Sequence, residues 1–286
     1  MQHLPYLFLA WCLSLFLLSC SAPSPSTPAV TAPPPFQLVD TLVDLDTHPL
    51  HFSLVPGRGM PILFESGGGS DASVWRDLLA PLYDSLAAPL ITYDRAGFGQ
   101  SGIDTNTISI DREIEDLDRA LRRLSYDGAL LVVNHSLGGV YTHLLADRHP
   151  ERLDGAVFID ASIPCYETEA RTQRTIDYMA SFGIENIKAQ SPGFLYIFQN
   201  YRDFNRQLRA ANYPSYTATT VIGADRPPTS TGPDSLAWKA CQMAFGQQPG
   251  HRFVLAENSG HQVFREQPQL VIDEIVRLYR QLEAPK

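Results

Sequence analysis

The stretch Leu130-Leu131-Val132-Val133-Asn134-His135-Ser136-Leu137-Gly138-Gly139 constrains this chain more than any other. Aliphatic residues run up to a serine, and Gly138-Gly139 leads into Val140 to Ala146, whose apolar residues have helical spacing. That is a strand, a tight turn and a helix, with the serine at the apex. A hydroxyl lifted out of a sheet beside a helix N-terminus meets free backbone N–H groups, which favour developing negative charge. The pattern is that of a nucleophile elbow, Gly-x-Ser-x-Gly, with Asn134 in the first small position. Asparagine tolerates unusual backbone angles better than most residues. The local alternative is an ordinary strand followed by a helix that Ser136 caps, and this stretch alone does not separate the two.

The rest of the chain alternates strand and helix signals. Phe36 to Leu45 and Pro49 to Val55 read as a hairpin around Asp46-Thr47-His48. Pro61 to Glu65 is an apolar strand run that breaks into Ser66-Gly67-Gly68-Gly69-Ser70, and helical spacing follows from Asp71 to Leu86. Leu90 to Tyr93 is the next strand. Between Ser109 and Leu124 the apolar residues Ile110, Ile114, Leu117, Leu121 and Leu124 share one helical face, with acid early and Arg122-Arg123 late. After the elbow come strands at Gly155 to Asp160, Tyr216 to Ile222 and Arg252 to Leu255, with helices at Asp234 to Phe245 and Pro268 to Leu282. Such alternation predicts a mostly parallel sheet covered by helices on both faces, with ligands bound beyond the carboxyl ends of the strands.

At 286 residues, 44% hydrophobic and 19% charged, the chain suits one larger α/β domain. With 31 acidic against 22 basic residues, a net charge of −9 and no run of Lys or Arg, it offers nothing to nucleic acid or to an anionic membrane surface.

Residues 4 to 18 are almost wholly apolar and short for a membrane span, which needs roughly 20 residues. They read as a secretory h-region. It ends at Leu17-Leu18-Ser19-Cys20, which resembles the lipobox of bacterial lipoproteins, although Met1-Gln2-His3 carries no Lys or Arg. The resemblance implies a signal peptide over 1–19, a diacylated Cys20 at the mature N-terminus, and export to the bacterial cell envelope. Residues 20–35, rich in Pro, Ser, Thr and Ala, read as an extended tether, leaving 36–286 for the folded domain. With Cys12 in the leader and Cys20 assigned to lipid, Cys165 and Cys241 remain. In an oxidising compartment they invite a disulfide closing about 75 residues, worth roughly 4 kcal/mol in the loop-entropy model; two unpaired buried thiols are the alternative.

Over roughly residues 50 to 282 the chain resembles the α/β-hydrolase family. The marks are the elbow, Tyr93-Asp94-Arg95-Ala96-Gly97-Phe98-Gly99-Gln100-Ser101 after a strand, and Ser259-Gly260-His261 after the last strand. In this family nucleophile, acid and histidine follow in that chain order. The resemblance therefore implies Ser136 as nucleophile and His261 as its base, with His135 in a structural role. It leaves two acids open. Asp225, in Gly223-Ala224-Asp225-Arg226, stands one residue earlier than the frequent spacing, beside an arginine; Asp160 ends the preceding strand, where some members carry their acid. Asp160 is slightly preferred. The N–H of Leu137 and one from Gly68, with Gly69 next, would form the oxyanion hole, with Ser66 in place of the family's common histidine. Residues 162–215 fall where the family inserts a cap. Their many aromatic residues, interleaved with Arg171, Arg174, Arg202, Arg206 and Arg209, suggest a helical lid with an apolar, partly cationic underside, although most single rings would merely pack lid to body.

The implied activity is hydrolysis of small-molecule acyl substrates, most simply carboxylic esters, through an acyl-serine intermediate. Peptidase and carbon-carbon bond hydrolase activities stay open, as does an exported binding protein that kept the fold and lost catalysis. The sequence carries no metal-ligand cluster and no cofactor motif, leaves the oligomeric state undetermined, and implies membrane contact only through the lipid anchor.

Overall fold

In a computed structural model, residues 34–228 and 233–284 are described. The apolar leader, the lipidation candidate Cys20 and nearly all of the tether lie outside them. Eight strands form one sheet in the order β1-β2-β4-β3-β5-β6-β7-β8. β1 (Val39–Asp44) and β2 (Pro49–Val55) are the expected antiparallel hairpin, and β2 pairs antiparallel with β4 (Leu90–Tyr93). From there β3 (Ile62–Glu65), β5 (Leu130–His135), β6 (Leu153–Ile159), β7 (Ala218–Arg226) and β8 (His251–Gly260) run parallel.

Helices cover both faces, as the alternation predicts. β5 is buried at all six positions. Its Leu130 and Val132 join a core with α2 (Ile110–Arg123) and α3 (Gly138–Arg148), while Leu131 and Val133 face a second core with α1 (Arg76–Leu86) and α9 (Pro268–Glu283). A strand sandwiched in this way needs apolar residues at successive positions because its side chains alternate between the faces. Ile110, Ile114, Leu117 and Leu121 form the buried stripe of α2, and the Ser109 hydroxyl caps it by accepting from Arg112 N at 3.1 Å.

Where the structure departs from the sequence reading, long-range pairing is the reason. The helix expected from Asp71 starts as a 3-10 turn, Ala72–Trp75, capped by Asp71. β7 and β8 extend beyond their apolar runs because they pair with each other as far as Arg226 and Gly260, carrying Asp225 into a strand. Between β6 and β7 stand three lid helices, α4 (Glu169–Ala180), α5 (Ile184–Gln190) and α6 (Pro192–Ala210). Tyr196, Ile197, Phe204 and Leu208 of α6 are buried in the core shared with α2 and α3. Most aromatic residues of the lid therefore serve packing, whereas Tyr178 and Phe182 meet edge to face on the exposed side. The lid arginines also find protein partners: Arg171 bonds the Tyr166 hydroxyl, Arg174 pairs with Asp234, Arg206 with Asp203, and Arg202 and Arg209 with Glu169.

The topology positions the site. From β3 the chain passes to β4 on one side and later returns to β5 on the other. Connections leaving two adjacent strands in opposite directions open a crevice beyond their carboxyl ends. The glycine loop follows β3 and Ser136 follows β5, so both border that crevice.

Candidate active site

Ser136 has φ 52°, a left-handed conformation that non-glycine residues rarely adopt. Its hydroxyl does not cap α3, whose N-cap is Leu137 without a side-chain hydrogen bond, so the ordinary capped-helix reading does not describe this turn. Backbone bonds hold the bend: Ser136 O accepts from Gly139 N at 3.0 Å and from Ser162 N at 2.8 Å. The two glycines are needed for close approach. A Cβ on Gly138 would lie 2.5 Å from Glu65 O, and one on Gly139 would lie 2.4 Å from Ser162 O. The elbow is thus wedged between the glycine loop and the turn after β6. Ser136 is half-buried among buried neighbours. Asn134 is fully buried, and among the described residues neither of its amide atoms has a partner.

His261, directly after β8, meets Asp160, directly after β6, with Nδ1 2.6 Å from Oδ2. Asp160 is wholly buried at φ 41°. Its other oxygen, Oδ1, accepts from Trp238 Nε1 at 2.6 Å and Ala224 N at 3.1 Å. A buried carboxylate with hydrogen-bond partners on both oxygens is satisfied and held in one orientation. Asp225 stands elsewhere: it is partly exposed on β7, and Lys239 Nζ donates to its Oδ1 at 3.1 Å, holding its carboxyl below the usual range. The structure therefore brings Asp160, not Asp225, to the histidine.

His135 braces the other side of His261. Burial, with His261 nearby, pushes its pKa down to about 3, so the ring is neutral and Nε2–H donates to His261 O at 2.9 Å. The two imidazole centroids are 4.4 Å apart. Trp238 is the residue that sequence reasoning missed. It lies on α7 (Pro233–Gly246) with Gln242, whose side chain donates to Ala161 O. Cys241 of the same helix is disulfide-bonded to Cys165 at the root of the lid, with Cα atoms 5.9 Å apart. The only sequence signal was the i, i+3, i+4 spacing of Trp238, Cys241 and Gln242 along one helix face.

The glycine loop closes the site from the β3 side. A Cβ on Gly67 would lie 2.9 Å from His135 Nδ1 and 3.3 Å from Ser136 Cβ, and one on Gly68 3.3 Å from Leu137 Cδ2. Gly69 has φ +76° and faces the Phe194 ring at the start of α6. Ser66, in the position of the family's histidine, is buried and accepts from Trp75 Nε1 at 3.0 Å. The lid reaches the neighbouring loop through glycine as well: Gly193 N donates to Gly97 O at 3.1 Å.

Residues 60–221, more than half of the chain, match the model of the alpha/beta hydrolase fold family. Protein YqjL of Bacillus subtilis is 26% identical over 219 residues, covering 74% of this chain and 81% of YqjL. A putative carbamate hydrolase, RutD of Azorhizobium caulinodans, is 35% identical over 108 residues, 37% of this chain and 39% of RutD. Among solved structures, a carboxylesterase of Nitrososphaera gargenis superposes with TM-score 0.63 at 16% identity, covering 85% of this chain and 98% of its own. A thermophilic esterase of Thermogutta terrifontis gives TM-score 0.58 at 19% identity, covering 87% and 100%. At such identities the superpositions speak for the fold alone, but with the matched family model they make this chain a member of the α/β-hydrolase family, with esterases among its structural neighbours.

Proposed function

We propose that the protein is a serine hydrolase that cleaves small carboxylic esters through an acyl-Ser136 intermediate. The observation that carries this reading is the pairing of His261 with the wholly buried Asp160, at the same carboxyl end of the sheet as a serine in a left-handed turn. His261 takes the Ser136 proton as the oxygen attacks the ester carbonyl, then returns it to the departing alkoxide. A water deprotonated by His261 next attacks the acyl-serine, and collapse of the second tetrahedral intermediate releases acid and restores the hydroxyl. Asp160 holds the imidazole with its Nδ1 proton inward and stabilises the imidazolium. The N–H groups of Leu137 and Gly68 receive the oxyanion, each worth about 3 kcal/mol in the transition state, and Gly69 gives the loop its turn. The lid over 162–215 encloses the acyl substrate. The names of the relatives, a putative carbamate hydrolase and esterases, accord with acyl chemistry.

A fluorophosphonate probe tests the reading. Wild type should be labelled and Ser136→Ala should not; well-folded wild type that stays unlabelled would sink it. An ester panel of increasing acyl length then defines the substrate. We also propose export and lipid anchoring through Cys20, with 20–35 as tether. Cys20→Ser should then move the protein from the membrane to the soluble fraction, and unchanged membrane association would exclude the anchor.

A further inference from the structure

Beneath the glycine loop lies a buried charge pair with no part in the proton transfers described above. Arg95 and Glu65 are 2% and 1% exposed, and Arg95 Nη1 lies 2.6 Å from Glu65 Oε1. Tyr93 OH donates to the other carboxylate oxygen at 2.5 Å. The guanidinium rests 4.8 Å from the Tyr141 ring centroid and 5.5 Å from that of Phe98. Burial opposes its charge, but Glu65 beside it holds the Arg95 pKa above the ordinary value. Such a pair adds little stability, because desolvating two charges offsets most of their attraction. What this one does is geometric. Nη1 also donates to Ser66 O at 2.5 Å, and Nη2 donates to Gly67 O at 2.5 Å.

Those two carbonyls belong to the peptide planes that carry the N–H groups of Gly67 and Gly68. No peptide bond among the described residues is cis, and in a trans peptide the C=O and the following N–H point in opposite directions. Drawing Gly67 O toward Arg95 therefore turns the Gly68 N–H away from Arg95. With no side chains at 67 to 69 to hold the loop, the Gly67 carbonyl has, among the described residues, one hydrogen-bond donor besides Arg95, Ser70 N at 3.4 Å. Lysine could not substitute, since its single ammonium lacks the planar fork that spans a carboxylate and two successive carbonyls.

We propose that Arg95 is the positioning residue of the oxyanion hole: its guanidinium, fixed by Glu65, grips the carbonyls of Ser66 and Gly67 and so aims the Gly68 N–H at the oxygen above Ser136. This inference rests on the serine-hydrolase reading and adds the device that preorganises one of the two donors. Preorganisation acts on the tetrahedral intermediate far more than on bound substrate, which separates it from a merely structural role.

Removing one charge would strand the other in the core, so the main variant is Glu65→Gln/Arg95→Met, compared with Arg95→Lys. The readouts are kcat and KM for a p-nitrophenyl ester, affinity for a boronic acid that forms a tetrahedral adduct on the serine, and circular dichroism with thermal melting. Glu65→Gln/Arg95→Met should lower kcat about 100-fold with KM within about threefold, and weaken the boronate in proportion. Arg95→Lys, which keeps a charge beside Glu65, should still lose about tenfold in kcat. If the double variant does not fold, the lysine variant decides. A folded variant of either kind with kcat within threefold of wild type, or with lost kcat and unchanged boronate affinity, overturns the inference while leaving Ser136 labelling intact. An unlabelled, inactive wild type sinks the hydrolase reading and this inference with it.

Discussion

Trp238 donates its indole N–H to Asp160 Oδ1 at 2.6 Å, on the carboxylate whose other oxygen meets His261. Removing that donor leaves Oδ1 with only the Ala224 N–H and lets a buried carboxylate rotate. Trp238→Phe should therefore lower kcat about tenfold with little change in KM. Asp160→Asn should cost about 10⁴-fold, because the amide favours the wrong histidine tautomer. Asp225→Asn should leave activity near wild type. Ester-hydrolysis kinetics on the three purified variants check the ordering, and a large loss in Asp225→Asn alone would reverse the assignment.

The disulfide makes the same helix sensitive to reduction. Cys165–Cys241 spans 76 positions and joins the lid root to α7, where Tyr166 packs against Trp238 with ring centroids 4.7 Å apart. Loop entropy assigns such a crosslink about 4 kcal/mol. Treatment with dithiothreitol, or Cys165→Ser/Cys241→Ser, should lower the melting temperature by several degrees and reduce kcat by loosening α7 behind Asp160. Melting curves and activity with and without reductant measure both effects; equal stability of oxidised and reduced protein would count against the brace.

Strain at Ser136 predicts a trade of stability against function. A serine at φ 52° costs on the order of 1 kcal/mol that glycine does not incur. Ser136→Gly should be inactive yet about as stable as wild type or more so, despite the larger entropy of its unfolded state, and more stable than Ser136→Ala. Urea denaturation compares the three. Gly138→Ala should behave oppositely, since its methyl would press on Glu65 O and force the elbow away from the glycine loop.

Four buried groups give stability a two-sided pH dependence. Burial pushes Glu113 up to about 8 and Glu167 up to about 7, so above the ordinary carboxylate range the folded chain keeps protons that the unfolded chain releases. Their contribution is lost as pH rises toward 8. Burial pushes His135 down to about 3 and His143 to about 4, so below 6.5 the unfolded chain takes up protons that the folded chain refuses. That contribution is lost as pH falls from 6.5 toward 4. Glu113→Gln should flatten the alkaline slope and His143→Gln the acid slope, each by up to about 1.4 kcal/mol per pH unit. Melting temperatures from pH 4 to 9 report the slopes, and a variant that follows wild type throughout contradicts its assignment.

Local periodicity was enough to read most elements of this protein, because burial on one or both faces of a strand or helix dictates which positions are apolar. The buried run Leu130 to Val133 and the α2 stripe through Ile114 and Leu121 are such cases. The candidate serine and histidine were legible for a related reason: a tight strand-to-helix turn and a glycine before a loop histidine leave short-range marks. The acid was not, because Asp160 and Asp225 both follow apolar runs and differ only in which strand keeps pairing. β7 continues to Arg226 against β8, which leaves Asp225 beside Lys239 while Asp160 turns under His261. Trp238, 78 positions from the carboxylate it holds, and Arg95, which grips carbonyls 28 and 29 positions earlier, follow from no local rule. Sequence alone determined the elements, their alternation and the two residues with short-range marks. Only the tertiary structure decided which acid faces the histidine and what holds the acid and the glycine loop in place, because hydrogen bonds between distant segments exist only once the sheet has brought the strand ends together.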